Sequence, residues 1–386
     1  MFIKKKIAIL GSTGSIGKTT INLIKKFDKY FNVELLTCNK NEKLILNQIK
    51  KLKPSYVIIT DYNTFLKIKK KNINKVIILN NIIELKSILK KRFDITIHGI
   101  SSYAGLNFAL EFINFSKKML IANKEAIVCG GNFLLNKAKK NNCQLLSIDS
   151  EHYCLSNTLE KIDKNQLKEI YLTASGGPFL KLPYLKYYKA NIKKTTNHPK
   201  WKMGLKISVD SATLVNKILE IIEAHYLFNI PLKKIKIKIH EESVVHSCVI
   251  LRNGLCYLVA HNTSMTIPIR NSLLDDKLIN EKKIFFSNKK KFIFSFDEEI
   301  LNKFKILKNI NSFLNKGPRA CIFFNVTNDI LVDYYLNKKI FFYEISQKLI
   351  KMMNNKLLFN YLKKNINKEQ DIYDTIEYAK KYATSI

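Results

Sequence analysis

With 386 residues, 46% of them hydrophobic, the chain is long enough for two or three domains with real cores and has a globular composition, and no apolar run is long enough for a membrane span. The net charge of +35 admits a nucleic-acid partner, but the lysines are spread along the chain among Ile and Asn, and runs such as Lys69–Lys71 and Lys289–Lys291 lack the interleaved aromatics that stack bases. Solvated faces that attract anionic ligands are therefore expected, with no nucleic acid or membrane partner; the seven scattered cysteines, never in a Cys-x-x-Cys pair, argue for reduced thiols and against structural zinc.

The opening Met1-Phe2-Ile3-Lys4-Lys5-Lys6 enters the short apolar strand Lys6–Leu10 at once, which leaves no room for a signal or transit peptide. A cytoplasmic protein, or one already stripped of a leader, is expected. Gly11-Ser12-Thr13-Gly14-Ser15-Ile16-Gly17 follows, then a helical pattern through Ile21, Leu23, Ile24 and Phe27. Strand, glycine turn and helix in that order suit a pyrophosphate: glycines let the backbone approach, and the helix N-terminus offers N–H groups. The spacing is Gly-x-x-Gly-x-x-Gly, not the usual Gly-x-Gly-x-x-Gly. The next strand, Val33–Cys38, runs into Asn39-Lys40-Asn41 without the acid that takes a ribose 2′-hydroxyl. A cation flanked by amides suits a 2′-phosphate and points to NADP, an ordinary polar loop being the competing reading. Helices over 44–52, 64–70, 82–90 and 106–115 then alternate with strands over 56–60, 75–79, 95–99 and 119–121, the rhythm of a doubly wound parallel sheet. Ligands bind at the C-terminal ends of such strands, so the loops His98–Gly105 and Ala122-Asn123-Lys124-Glu125 point at the cofactor.

A helix over 132–140 and a strand over 144–148 lead to Asp149-Ser150-Glu151-His152. In an extended segment Asp149 and Glu151 point the same way, and paired oxygen ligands select Mg²⁺ or Mn²⁺ over zinc. The alternative is a pair of acids at a helix N-terminus. The strand Tyr171–Ala174 ends in Ser175-Gly176-Gly177-Pro178-Phe179, a hydroxyl beside open backbone N–H groups that suits a phosphate. His198-Pro199-Lys200-Trp201-Lys202-Met203-Gly204 is a loop holding the only tryptophan, either packed down or serving as a lid. From Ser208 to Glu220 the apolar residues Leu214, Val215, Ile218 and Leu219 recur at helical spacing, which predicts one short helix with Ser211 at its start as an anion site. Asn216 and Glu220 share its polar face beside Lys217; a plain N-cap and a surface ion pair are the ordinary alternative.

Strands over 235–240, 244–251 and 255–260 follow, the last two joined by the hairpin signal Arg252-Asn253-Gly254. His240, His246 and His261 are taken as satisfied sheet histidines. After Pro268 the chain becomes linker-like and lysine-rich, and helices are predicted over 300–308, 319–336, 342–353 and 375–383.

The six blocks at 11–17, 122–125, 149–152, 175–179, 198–204 and 208–220 occur in the order and at the separations found in 1-deoxy-D-xylulose 5-phosphate reductoisomerase. The chain resembles that family from about Ile7 to Ile269, and more loosely to its end. The resemblance implies an α/β protein: a Rossmann-like NADPH-binding domain (1–148), a central α+β catalytic domain with a dimerisation sheet (149–270), a linker (271–298) and a C-terminal helical bundle (299–386). It implies Asp149, Glu151 and Glu220 as ligands of a divalent cation, Mg²⁺ or Mn²⁺, with Ser150 and the catalytic Lys124 against the substrate backbone. Ser175, His198, Ser211, Asn216 and Lys217 would grip a sugar phosphate, and Trp201 and Met203 would close a lid. Thr13, Gly14, Ser15 and Ile16 would cradle the NADPH phosphates and Asn39, Lys40 and Asn41 the adenosine end. Asn123, Glu125 and Gly204 complete the cofactor set, and Met265 lies near the nicotinamide or substrate. The implied reaction rearranges the ketose skeleton and reduces the resulting aldehyde with NADPH, giving 2-C-methyl-D-erythritol 4-phosphate, in a homodimer. Two rivals compete. A plain NADP dehydrogenase of the aspartate-semialdehyde or homoserine type would not need the three acids, and a basic RNA-binding protein would bind RNA in a salt-dependent way without responding to NADPH.

Overall fold

A computed structural model describes residues 3–274, 279 and 293–386. The lysine run 289–291 and most of the stretch expected as a linker lie outside them. The described residues divide into two compact units, one made of 3–126, 134–149, 265–274 and 279, the other of 127–133, 150–264 and 293–386.

In the first unit Ile7, Ala8, Ile9 and Leu10 are all fully buried, as a strand covered on both faces must be. This is β1 (Lys5–Leu10), joined by β2 (Phe31–Cys38), β3 (Tyr56–Ile59), β4 (Ile77–Leu79), β5 (Phe93–His98), β6 (Ser116–Ile121) and β7 (Gln144–Ser147) in a parallel sheet of order β4-β3-β2-β1-β5-β6-β7. The predicted alternation is borne out by α1 (Ser15–Lys26), α2 (Glu42–Leu52), α3 (Tyr62–Lys69), α4 (Ile82–Ile88), α5 (Gly105–Phe115) and α6 (Lys124–Lys140). The last is longer than the sequence suggests and bends at Gly131, whose φ of 47° breaks the helix. Strand order reverses at β1, so the crevice beyond β1 and β5 is the switch point where such sheets take their ligands. There Gly11 has φ +76°, and a Cβ on it would stand 3.0 Å from Gly99 O; a Cβ on Gly17 would stand 2.4 Å from Ser12 Cα. Only glycine lets the turn fold this tightly.

The second unit holds β8 (Leu167–Ala174), β9 (Ile235–Ile239), β10 (Val245–Leu251) and β11 (Cys256–Ala260) in the order β11-β10-β8-β9, with β10 antiparallel to both neighbours and β8 parallel to β9. With them go α7 (Ser150–Leu159), α8 (Ile192–Thr196), α9 (Leu205–Thr213) and α10 (Val215–Phe228). α11 (Thr266–Leu273) returns to the first unit, with Pro268 tolerated in its first turn where no N–H is needed. The C-terminal part of the second unit comprises α12 (Ile310–Leu314), α13 (Pro318–Leu336), α14 (Phe342–Met353), α15 (Phe359–Leu362) and α16 (Glu369–Ser385). α13 is its axis, buried on nearly every side and packed by α14, α16 and α9. The helix predicted over 300–308 is instead two 3-10 turns, Glu299–Lys303 and Lys305–Leu307. Only Ile306 of these is buried, too little to hold a longer helix. The seven cysteines remain thiols. Among the described residues no helix is long and apolar enough to cross a membrane.

Candidate active site

The glycine turn is held from behind. Gly11 N–H donates to Thr37 Oγ1 at 2.7 Å, Ser12 Oγ lies 2.7 Å from Gln48 Oε1, and Gln48 Nε2 donates back to Ser12 O at 2.9 Å. Thr37 and Gln48 were not singled out in the sequence; a glutamine buried on a helix that otherwise faces the sheet is the one local sign. α1 starts with Gly14 as N-cap and no side-chain cap, so the N–H groups of its first turn are open to an anion beside Thr13, Ser15 and Ile16. Past β2, Asn39 donates to Thr60 Oγ1 at 2.7 Å and Asn41 caps α2 by accepting from Leu44 N–H at 3.1 Å. Both amides thus shape the loop, and Lys40 is its exposed cation. Asn123 likewise caps α6, accepting from Ala126 N–H at 3.0 Å while its amide donates to the carbonyls of Ile100 and Ser102. Glu125 is 3% exposed on the same turn, and its charge acts on His98, which burial holds down at about 4.

Asp149 does not lie in an extended segment with Glu151. The chain turns into α7 at Ser150, and Glu151 sits in the first helical turn. The acids converge by helix packing instead: a carboxylate oxygen from each of Asp149, Glu151 and Glu220 lies within 4.8 Å of the others. Lys124 Nζ stands 2.8 Å from Asp149 Oδ2, and Lys217 Nζ stands 2.6 Å from Glu151 Oε1 and 2.5 Å from Glu220 Oε2. Burial alone would depress Lys217, but the Glu151 and Glu220 carboxylates outweigh it and hold the ammonium above its usual value. Asn216 adds a 2.5 Å contact from its amide to Glu220 Oε1, and Ser150 Oγ donates to Glu151 Oε2. Three carboxylates face two ammonium groups, which leaves one negative charge and an all-oxygen donor set, a fit for Mg²⁺ or Mn²⁺. Asp149, His152 and Glu223 form an overlapping group. There, however, His152 Nε2 lies 3.0 Å from Glu220 O and Nδ1 lies 3.2 Å from Glu223 Oε2, so both ring nitrogens are engaged in holding α7 to α10. Sequence reasoning gave neither His152 nor Glu223 a role.

The predicted single helix over 208–220 is two. α9 begins upstream, capped at Gly204, and ends where Leu214 turns left-handed (φ 61°) to bury its side chain; α10 starts at Val215. Ser211 therefore lies in the last turn of α9 and is no N-cap, whereas Asn216 and Lys217 open α10. The Ser175 loop packs on Ser211: Gly177 has φ +69°, and a Cβ there would stand 3.0 Å from Ser211 O. His198 Nε2 lies 2.9 Å from Ser175 Oγ, while its Nδ1 accepts from the N–H groups of Trp201 at 2.9 Å and Lys200 at 3.2 Å. Burial lowers His198 to about 4, so the ring is neutral, and with Nδ1 accepting, its proton sits on Nε2. Ser175 then accepts from His198 and, at 3.3 Å, from Gly177 N–H, which leaves its own hydroxyl proton to donate to an anion. Trp201 is half-buried edge-on against His246, 5.9 Å between ring centres, and His246 stacks on His261. His240, His246 and His261 each bond a backbone group, as expected of sheet histidines.

Models described as 1-deoxy-D-xylulose 5-phosphate reductoisomerase and its C-terminal domains match residues 7–131, 145–228 and 261–384. Curated relatives of that name include one from Pelagibacter ubique (strain HTCC1062), 40% identical over 96% of this chain and 97% of its own length. Another, from Sulfurihydrogenibium sp. (strain YO3AOP1), is 34% identical over 99% and 98%. A crystal structure of DOX-P reductoisomerase in complex with NADPH, fosmidomycin and magnesium superposes with a TM-score of 0.90 at 30% identity, covering 99% of this chain and 98% of the other. The Zymomonas mobilis enzyme in complex with NADPH gives 0.84 at 27%, covering 99% of each.

Proposed function

This chain belongs to the 1-deoxy-D-xylulose 5-phosphate reductoisomerase family, and on that premise we propose how its own residues perform the family's reaction. It is an NADPH- and divalent-metal-dependent oxidoreductase that converts 1-deoxy-D-xylulose 5-phosphate into 2-C-methyl-D-erythritol 4-phosphate for isoprenoid synthesis by the non-mevalonate route. The observation that carries the assignment of roles is the convergence of Asp149, Glu151 and Glu220 within 4.8 Å. Those three carboxylates would hold a Mg²⁺ or Mn²⁺ ion, which would supply Lewis-acid polarisation of the substrate oxygens. Thr13, Gly14, Ser15 and Ile16 would cradle NADPH, with Lys40 suited to its 2′-phosphate and Asn123, Glu125 and Gly204 completing the site, and the cofactor would supply the hydride.

The remaining work falls to side chains. Lys124, fixed by Asp149, and Ser150 orient the substrate backbone, and the Lys124 ammonium steadies negative charge that develops on oxygen. Ser175 donates its free hydroxyl proton to the phosphate, and Ser211, Asn216 and Lys217 complete the grip with neutral His198 behind. Binding energy from this remote phosphate supports positioning and closure of Trp201 and Met203 over the substrate. Residues 1–148 form the NADPH-binding domain, 149–270 the catalytic and dimerisation domain, 271–298 the connection and 299–386 the helical brace. The edge strand β11 exposes Tyr257 (42%) and Leu258 (46%), which supports a homodimer through this sheet in a cytoplasmic enzyme. A plain NADP dehydrogenase would have no use for the three acids.

The test is to incubate the purified protein with 1-deoxy-D-xylulose 5-phosphate, NADPH and Mn²⁺ and to follow loss of nicotinamide absorbance. Chelator-sensitive oxidation of NADPH is expected. Oxidation at full rate in chelator would overturn the metal assignment, and no oxidation with all components present would overturn the function.

A further inference from the structure

α9, which carries Ser211, is tied to the C-terminal helices by a charged cluster that none of the roles above uses. Lys206, in the first turn of α9, places Nζ 2.8 Å from Asp210 Oδ2 one turn along and 2.8 Å from Asp329 Oδ1 on α13. Asn328, beside Asp329, donates its amide to Asp210 Oδ1 at 2.9 Å. Asp210, next to Ser211 in the chain, is 1% exposed and Asn328 is fully buried. Apolar side chains would pack two helices at lower desolvation cost; what a buried ionic cluster adds is a fixed register. Both Asp210 oxygens are engaged, so α9 cannot rotate or slide along α13 without stranding buried charge. α9 also starts at Gly204, where the 198–203 loop ends and where a Cβ would meet nothing within 4 Å. The 198–203 loop therefore runs directly into a helix held in register.

We infer that Asp329 and Asn328 are positioning residues for the substrate's phosphate: through Lys206 and Asp210 they set where Ser211 stands and the base from which the Trp201 loop closes. The inference rests on the reading of Ser211 and the loop as the phosphate grip and lid. Steady-state kinetics of the full-length protein test it, with Asp329→Asn, the conservative Asp329→Glu, and Lys206→Gln at the partly exposed member, so that one variant is informative even if another fails to fold. Asp329→Asn and Lys206→Gln should each raise KM for 1-deoxy-D-xylulose 5-phosphate about tenfold, with KM for NADPH and kcat within about twofold of wild type. Asp329→Glu should restore most of the substrate KM, and the double variant Lys206→Gln with Asp329→Asn should be no worse than the poorer single one, because both break one cluster. An unchanged substrate KM in the folded variants overturns the inference, as does a parallel rise in KM for substrate and NADPH, the mark of general loosening. An inactive wild type would instead overturn the functional reading, so the two failures are distinguishable.

Discussion

Glu220 shows how much one side chain carries. It is 1% exposed, yet a lysine and an amide from the preceding turn of its own helix and the carboxylates of Asp149 and Glu151 all meet it. The local part of that arrangement, Asn216, Lys217 and Glu220 on one face, follows from the 3.6-residue period. Glu220→Gln keeps the size, removes the charge and leaves one accepting oxygen where Asn216 and Lys217 now meet two. Turnover should fall by at least about 100-fold at every Mn²⁺ concentration, because one of the three acids proposed to hold the cation loses its charge. NADPH affinity, measured by fluorescence titration, should stay within about twofold, since no cofactor contact is altered. Near-normal turnover in this variant would remove Glu220 from the metal site.

Among the elements, the break between α9 and α10 and the open edge of β11 had the weakest sequence signals. The apolar spacing from Leu214 to Ile222 fits one helix, but Leu214 is worth more buried than helical, and the left-handed turn that buries it re-aims both helices. β11 alternates as a strand should, yet its residues from Cys256 to Leu258 are all exposed, so its pattern alone does not say which face is covered. If this edge is the dimer contact, Leu258→Lys should shift the mass in analytical ultracentrifugation from twice 44.9 kDa toward 44.9 kDa. Its urea midpoint should barely move, since a surface change of this kind costs under about 0.5 kcal/mol within a protomer. A wild-type protein that already sediments at 44.9 kDa would dispose of the dimer.

At the scale of the whole molecule, the +35 charge acts on two anionic ligands, a sugar phosphate and a dinucleotide phosphate. Raising salt from about 50 to about 500 mM should lower kcat/KM for the substrate roughly three- to tenfold by screening the encounter, while kcat stays level. A kcat/KM indifferent to salt would leave the charge without a part in ligand capture. The sequence by itself determined the alternation that becomes the parallel sheet, the glycine turn at its switch point, and which three acids to look for together, because period, turn chemistry and motif order are all local. Only the tertiary structure decided that Asp149 and Glu151 meet Glu220 across helices rather than along a strand, and that α9 ends at Leu214. It also decided that Thr37 and Gln48 hold the glycine turn, that His152 and Glu223 join α7 to α10, and that Lys206 and Asp329 tie α9 to α13. Their partners lie far off in the chain, and a contact closed through space by packing leaves no mark on the spacing of either segment.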